Sequence, residues 1–149
     1  METNIEEFRK DPIIPIGAAA ALIGVSPSTL RMYETEGLII PYKTATKMRL
    51  YTQEDIEWIQ CIRQLIKQEK LGVEGIRRLL SLIPCWKVKN GPEEVKKSCK
   101  AYSKNDIPCW RIKTEKRQHL NVGCRLCTVY RNARQAFDTK KMLTAYINY

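Results

Sequence analysis

The 149-residue sequence predicts a mainly α-helical chain with a winged helix–turn–helix head, a small cysteine-rich and loop-rich module, and a C-terminal amphipathic helix. Three observations predict this. Two short apolar-periodic segments are separated by Gly24-Val25-Ser26-Pro27, which reads as a helix stop followed by a helix start. The tripeptide Pro-Cys-Trp occurs twice, at Pro84-Cys85-Trp86 and at Pro108-Cys109-Trp110. From Val129 onward Tyr130, Ala133, Phe137, Leu143, Tyr146 and Ile147 recur at helical intervals, broken only by Lys140-Lys141.

The head reads element by element. Ile16, Ala19, Ala20 and Ile23 lie at helical spacing, Gly24 supplies the C-cap and Val25 packs the turn. Ser26 caps the next helix, with Pro27 at its first position. That helix passes through Leu30, Arg31, Tyr33 and Glu34 and stops at Gly37. Ser28 and Thr29 fall at its N-terminal end, where a recognition helix meets base edges. Leu38 to Pro41 and then Tyr42 to Tyr51 have β-compatible ends around a polar, basic tip, which suits a wing. Thr52 caps a further helix, with Asp55 placed for a capping box. This helix is expected from Gln53 to about Glu69, with Ile56, Ile59, Ile62, Leu65 and Ile66 on one face and Cys61 as a small core residue. Gly72 breaks it. A short helix from Val73 to Leu82 follows, burying Ile76, Leu79 and Leu80, and Pro84 ends the helical part.

Charge separates the two halves. Residues 1–83 carry 11 basic and 11 acidic side chains, whereas residues 84–149 carry 15 basic and 5 acidic ones and so hold the whole net charge of +10. A basic chain suggests a nucleic-acid partner. The acidic start Glu2, Glu6 and Glu7 is no cationic signal-peptide region, and the most apolar stretch, Ile13 to Val25, is too short and too interrupted to span a bilayer. The expectation is a cytoplasmic protein without membrane contact. In that compartment the six cysteines are reduced or metal-bound more often than disulfide-paired.

The run Ile16-Gly17, Gly24-Val25-Ser26, Thr29-Leu30-Arg31-Met32-Tyr33-Glu34, Glu36-Gly37-Leu38, Pro41, Arg49-Leu50-Tyr51-Thr52 and Asp55-Ile56 closely resembles the MerR family of transcriptional regulators over residues 14–83. The resemblance implies a winged-helix head that binds double-stranded DNA as a homodimer on pseudo-palindromic promoters, where activating members distort the duplex for RNA polymerase. It implies DNA contacts by Ser26, Thr29, Arg31, Tyr33, Lys43, Lys47 and Arg49. Leu30, Leu38 and Ile56 are expected in the core. Met32 departs from the family pattern, in which an aromatic is common there, and Lys47-Met48 replace the usual Gly-Tyr before the wing arginine.

After residue 83 the chain leaves the usual pattern, in which a long helix pairs with its dimer mate. The cysteine module has the spacing Cys85-x13-Cys99-x9-Cys109-x14-Cys124-x2-Cys127. Both Pro-Cys-Trp copies are followed by a Cys-x-x-Tyr, Cys99 to Tyr102 and Cys127 to Tyr130. Cys124 and Cys127 form a chelating pair. With Cys85, Cys99 and Cys109 they suit a thiolate site for zinc or an iron–sulfur cluster, which would sense metal or redox state or be purely structural. Trp86 and Trp110 shield such a site or anchor a minimal core; His119 is a further candidate ligand or a solvated loop residue. The region resembles the "two-CW" cysteine modules. These carry a further cysteine in the first repeat, near Gly91, and this chain has none there. A metal-free thiol switch or a stapling disulfide is the alternative. The expected division is an extension over 1–13, the head over 14–83, the module over 84–130 and a dimerisation helix over 131–149.

An architectural, excisionase-like DNA-bending role is the other binding function left open. A thiol oxidoreductase is disfavoured, because no general base lies near Cys124 and Cys127 in sequence and the strand context of thioredoxin-like sites is missing. The chain is expected not to be an enzyme.

Overall fold

A computed structural model of the chain describes residues 10–82, 106–111 and 121–134. The chain divides into two compact units, Met1–Val73 and Glu74–Tyr149. Within the first, the order is β1 (Ile14–Pro15), α1 (Ile16–Ile23), α2 (Pro27–Thr35), β2 (Tyr42–Lys43), β3 (Arg49–Tyr51) and α3 (Gln53–Lys67). Helix α4 (Val73–Leu80) begins at the boundary; then come a 3-10 turn (Cys109–Arg111), α5 (Asn121–Leu126) and α6 (Thr128–Ala133).

The helix ends are set by local chemistry. α1 ends at Gly24, whose φ of 80° lies in the left-handed region. Ser26 caps α2 by accepting from the Thr29 N–H at 3.2 Å. α2 closes with a Schellman motif in which Gly37, also at φ 80°, donates to the Glu34 carbonyl and Leu38 donates to the Tyr33 carbonyl. The expected capping box is present: Thr52 N–H donates to Asp55 Oδ2 at 2.9 Å, and Asp55 N–H donates to Thr52 Oγ1 at 3.0 Å.

The wing is a three-stranded antiparallel sheet in the order β1-β3-β2. Lys43 faces Arg49 and Tyr42 faces Leu50 across the hairpin. Strand β1 was not expected from sequence. It pairs Ile14 with Tyr51 and Pro15 with Leu50, and its edge position explains how a strand tolerates Pro15, which lacks a donor.

The core of this unit contains Ala19, Ala20, Leu30, Tyr33, Leu38, Ile39, Tyr51, Ile56, Trp58, Ile59 and Ile62, with α1 packing on both α2 and α3. Trp58 Nε1 donates to the Leu38 carbonyl at 3.0 Å, tying α3 to the chain just after α2. Leu30, Leu38 and Ile56 are buried as expected, whereas Leu65 and Ile66 are only half-buried. α3 also stops earlier than expected. Lys70, at φ 57°, takes the left-handed turn two residues before Gly72, and Leu71 N–H bonds back to the Leu65 carbonyl. α4 ends at Leu80 rather than Leu82; Ile76 and Leu80 are buried, Leu79 is half-buried and Leu82 is exposed.

Candidate nucleic-acid interface

Helix α2 has two faces. Leu30 and Tyr33 point into the core, and Ser28, Arg31, Met32 and Thr35 form an exposed stripe at i, i+3, i+4 and i+7. The expected contact residues therefore divide. Arg31 is exposed on the stripe. Ser26 is exposed at the cap, but its hydroxyl shares a 3.1 Å hydrogen bond with the Thr29 hydroxyl as well as capping the helix. Tyr33 does not join the surface: it is 1% exposed, so its ring belongs to the core. The apolar spacing Leu30–Tyr33 is what turns it inward.

The wing is fastened to α2 by Glu34. Its Oε1 pairs with Lys43 Nζ at 2.6 Å and its Oε2 pairs with Arg49 Nε at 2.5 Å. One carboxylate from the helix thus holds a cation from each strand of the hairpin, at positions that face each other in the sheet. The Glu34 side chain is 18% exposed and that of Lys43 48%. Burial raises the Glu34 pKa, but the hydrogen bonds and charges of Lys43 and Arg49 outweigh it and hold the carboxyl below its ordinary value. The Tyr51 phenol is pushed up to about 12, first by burial and then by the Glu34 charge, and its hydroxyl is buried without a hydrogen-bond partner. Sequence reasoning placed Glu34 on the helix but not in the site. The available signal was a lone acid one turn from Arg31 on a helix whose wing carries three cations, Lys43, Lys47 and Arg49.

The wing tip is a tight turn. Lys47 N–H donates to the Thr44 carbonyl at 2.9 Å, Thr44 N–H donates to the Met48 carbonyl at 2.9 Å, and Met48 N–H donates to Thr44 Oγ1 at 3.1 Å. Lys47 sits at φ 63°, in the left-handed region that a glycine occupies without steric cost. Its side chain is exposed at the tip.

In the second unit, none of Cys109, Cys124 and Cys127 is in a disulfide, and the same holds for Cys61 on α3, whose thiol pKa is raised by burial. Cys124 and Cys127 lie one turn apart at the junction of α5 and α6, with Cys127 N–H donating to the Cys124 carbonyl at 3.2 Å. Cys109 opens the 3-10 turn. Among the described residues no three His, Cys, Asp or Glu side chains gather into a group that could hold a metal ion. Cys85, Trp86, Cys99 and His119 lie outside the described residues, as does the tail from residue 135. Trp110 meets Tyr130 edge-on, with ring centroids 5.1 Å apart and planes at 77°. Arg134 covers the other partner: its guanidinium lies 4.6 Å from the Tyr130 centroid and donates to the Tyr130 hydroxyl at 2.9 Å. Trp110 thus packs on Tyr130, and Pro108, Val129 and Ala133 are buried as well. The face of α6 that the sequence offered to a dimer partner is, at Val129, Tyr130 and Ala133, already covered within the chain. Among the described residues no helix is long and apolar enough to cross a membrane.

Comparison with known proteins agrees with this geometry. Residues 14–83 match the MerR HTH family of regulatory proteins. The chain is 39% identical over 80 residues to a protein described as heat shock protein HspR of Streptomyces coelicolor, a stretch covering 53% of each chain. It is 30% identical over 97 residues to the HTH-type transcriptional regulator GlnR of Bacillus anthracis, covering 62% of this chain and 74% of that one. It is 38% identical over 68 residues to the HTH-type transcriptional regulator HmrR of Sinorhizobium medicae, covering 45% and 46%. The chain therefore spans about half the length of two of these relatives and about three quarters of the other. No solved structure matches it. A helix–turn–helix with a wing pinned to its second helix, a family match across that same unit, and an aligned stretch reaching through most of a MerR-type regulator lead to one assignment: this chain belongs to the MerR family.

Proposed function

We propose that this chain is a sequence-specific DNA-binding transcriptional regulator that acts as a homodimer and is not an enzyme. The observation that carries the reading is the exposed stripe of α2, with Arg31 on it, set beside a basic wing. Arg31, Lys43, Lys47 and Arg49 supply phosphate contacts, and Ser26 and Thr29 lie where the helix N-terminus meets the duplex. Lys43 and Arg49 share one carboxylate, so the three side chains together present a single net positive charge. A homodimer would place two such heads on the half-sites of a pseudo-palindrome, with RNA polymerase as the further partner at a promoter. The test is binding of the purified full-length protein to duplexes from its own promoter region and to a random duplex pool. A selected, two-fold-related sequence bound with a steep salt dependence supports the reading; no preference for any duplex sinks it.

The cysteine module is the proposed sensing or structural site. Cys109, Cys124 and Cys127, completed by Cys85 or Cys99, would hold zinc or an iron–sulfur cluster. The thiolate-only donor set suits either, and the one-turn separation of Cys124 and Cys127 suits a chelating pair. Bound there, the group would cross-link a module too small to hold a large core. Metal counting and an absorption spectrum after anaerobic purification discriminate: stoichiometric zinc without colour marks a structural site, an oxygen-sensitive brown sample marks a cluster, and neither removes the cofactor.

A further inference from the structure

The exposed stripe of α2 contains one apolar side chain that neither capping nor the core explains. Met32 is 40% exposed and shares its face with Ser28, Arg31 and Thr35. The other three are polar. The Thr35 hydroxyl is turned back onto its own helix, donating to the Arg31 carbonyl at 3.0 Å. Arg31 is a cation suited to a phosphate or to a guanine edge. Met32 is the largest apolar group on this face, beside the small methyl of Thr35. A thioether can neither pair with a phosphate nor donate to a base, so in the groove Met32 contributes an apolar contact. In the major groove the apolar group that distinguishes one base from the other three is the C5-methyl of thymine. The unbranched, polarisable side chain of methionine adapts well to such a group.

We propose that Met32 is a specificity-determining residue that reads the thymine C5-methyl group in the major groove, beside a phosphate or guanine contact made by Arg31. The inference rests on α2 being the recognition helix of a DNA-binding regulator. Tyr33, the neighbouring position, is buried and cannot take this role, so on the exposed face of α2 the readout falls to Met32.

The experiment removes the methyl group from the DNA and leaves the protein fold untouched. A duplex selected by the full-length wild-type protein is resynthesised with deoxyuridine in place of each thymidine in turn, and affinities are measured for wild type, Met32→Ala and Met32→Leu. At one position per half-site the exchange is expected to weaken wild-type binding about fourfold, the worth of one buried methyl group. Met32→Ala is expected to bind the thymidine duplex more weakly and to lose the sensitivity at that position, whereas Met32→Leu keeps it. All three proteins should bind an unselected duplex with the same salt slope, which shows the heads to be folded. Sequence-selective binding with no Met32-dependent methyl effect overturns this inference alone. Failure to select any duplex overturns the DNA-binding reading and this inference with it.

Discussion

The head around α2 and the second Pro-Cys-Trp copy each bury a tyrosine to 1% exposure, Tyr33 and Tyr130, but with different means. Tyr33 sits in a core supplied by α1, α2, α3 and the sheet, and the ends of those elements carry their own caps and turns. Among the described residues, Tyr130 meets Trp110 edge-on and carries Arg134 over its ring. Local propensity and tertiary packing agree in the head, which is how a small unit folds to one structure. Among the described residues around Tyr130 the two helices have six residues each, below the length that is stable alone, and they carry aromatic and cation–π contacts. The difference teaches where the proposed cross-link would add most: to short helices that cannot hold themselves.

The largest test of the comparison is Trp58→Ala in the head. It deletes a buried indole and the hydrogen bond to the Leu38 carbonyl, and is expected to cost about 3–5 kcal/mol. The readout is thermal denaturation by circular dichroism together with duplex binding, both of which should collapse. Trp58→Phe keeps most of the volume and should cost about 1–2 kcal/mol through the lost hydrogen bond. A cost for alanine no larger than that for phenylalanine would break the account of the head as a packed core.

Next in size is Tyr130→Ala, expected to cost the second unit about 3 kcal/mol, read as loss of amide hydrogen-exchange protection over residues 121–134. Trp110→Ala should be comparable. The double variant should fall short of the sum by about 1 kcal/mol, the value of an edge-on aromatic pair. Simple additivity would mean that Trp110 and Tyr130 act separately and that the Pro-Cys-Trp motif is not organised around its own Cys-x-x-Tyr.

Glu34→Gln sharpens the comparison inside the head, where an ion cluster joins wing to helix beside the packed core. The folded-state pKa of Glu34 is depressed below its ordinary value, so its contribution is present above that value and is lost as pH falls through the lower folded one. Wild type should therefore lose stability on acidification from about pH 4.5 downward, and Glu34→Gln should be flatter there and less stable at neutral pH by about 1 kcal/mol. Urea denaturation across pH 2.5 to 7 checks both, with the pH range set by the linkage between the two pKa values. Identical pH profiles would remove the clamp.

What was legible in the sequence was whatever is decided within a few residues. Gly24, Ser26-Pro27 and the Thr52–Asp55 capping box each announce a helix boundary through chemistry confined to one turn, and the end of α1 and the starts of α2 and α3 followed. What escaped was decided across the chain. Strand β1 has two residues, one of them Pro15, so it carries no periodic signal and exists only because β3 has an edge to fill. Glu34 meets residues 9 and 15 positions away, a distance no helical spacing encodes. Tyr33 looked like a surface contact because its motif suggested one, yet it stands three residues from Leu30 on the buried face. Trp110 reads from sequence as a shield for a cofactor or an anchor for a core, and its contact with Tyr130, twenty residues on, has no local signal. Of the candidate site, Arg31 and the wing cations were legible as types in register, whereas the carboxylate that Lys43 and Arg49 share was not.

The smallest expected effect is at Lys47, and it separates folding from binding within one residue. At φ 63° a lysine carries the steric cost of the left-handed region, roughly 1 kcal/mol, which glycine does not. Glycine in turn gives the unfolded chain more freedom, which offsets part of the gain. Lys47→Gly should therefore leave the head unchanged or more stable by a few tenths of a kcal/mol, with the Thr44–Lys47 turn kept. If Lys47 lies against a phosphate, the same change should lower the salt slope of duplex binding by about 0.9 per head and weaken selected and unselected duplexes alike. A more stable head with an unchanged slope would make Lys47 a turn residue only, and would move the electrostatic footprint of the wing back to Lys43 and Arg49. Destabilisation by more than about 1 kcal/mol would mean that the lysine side chain supports the hairpin, which the exposed position of Lys47 at the tip gives no reason to expect.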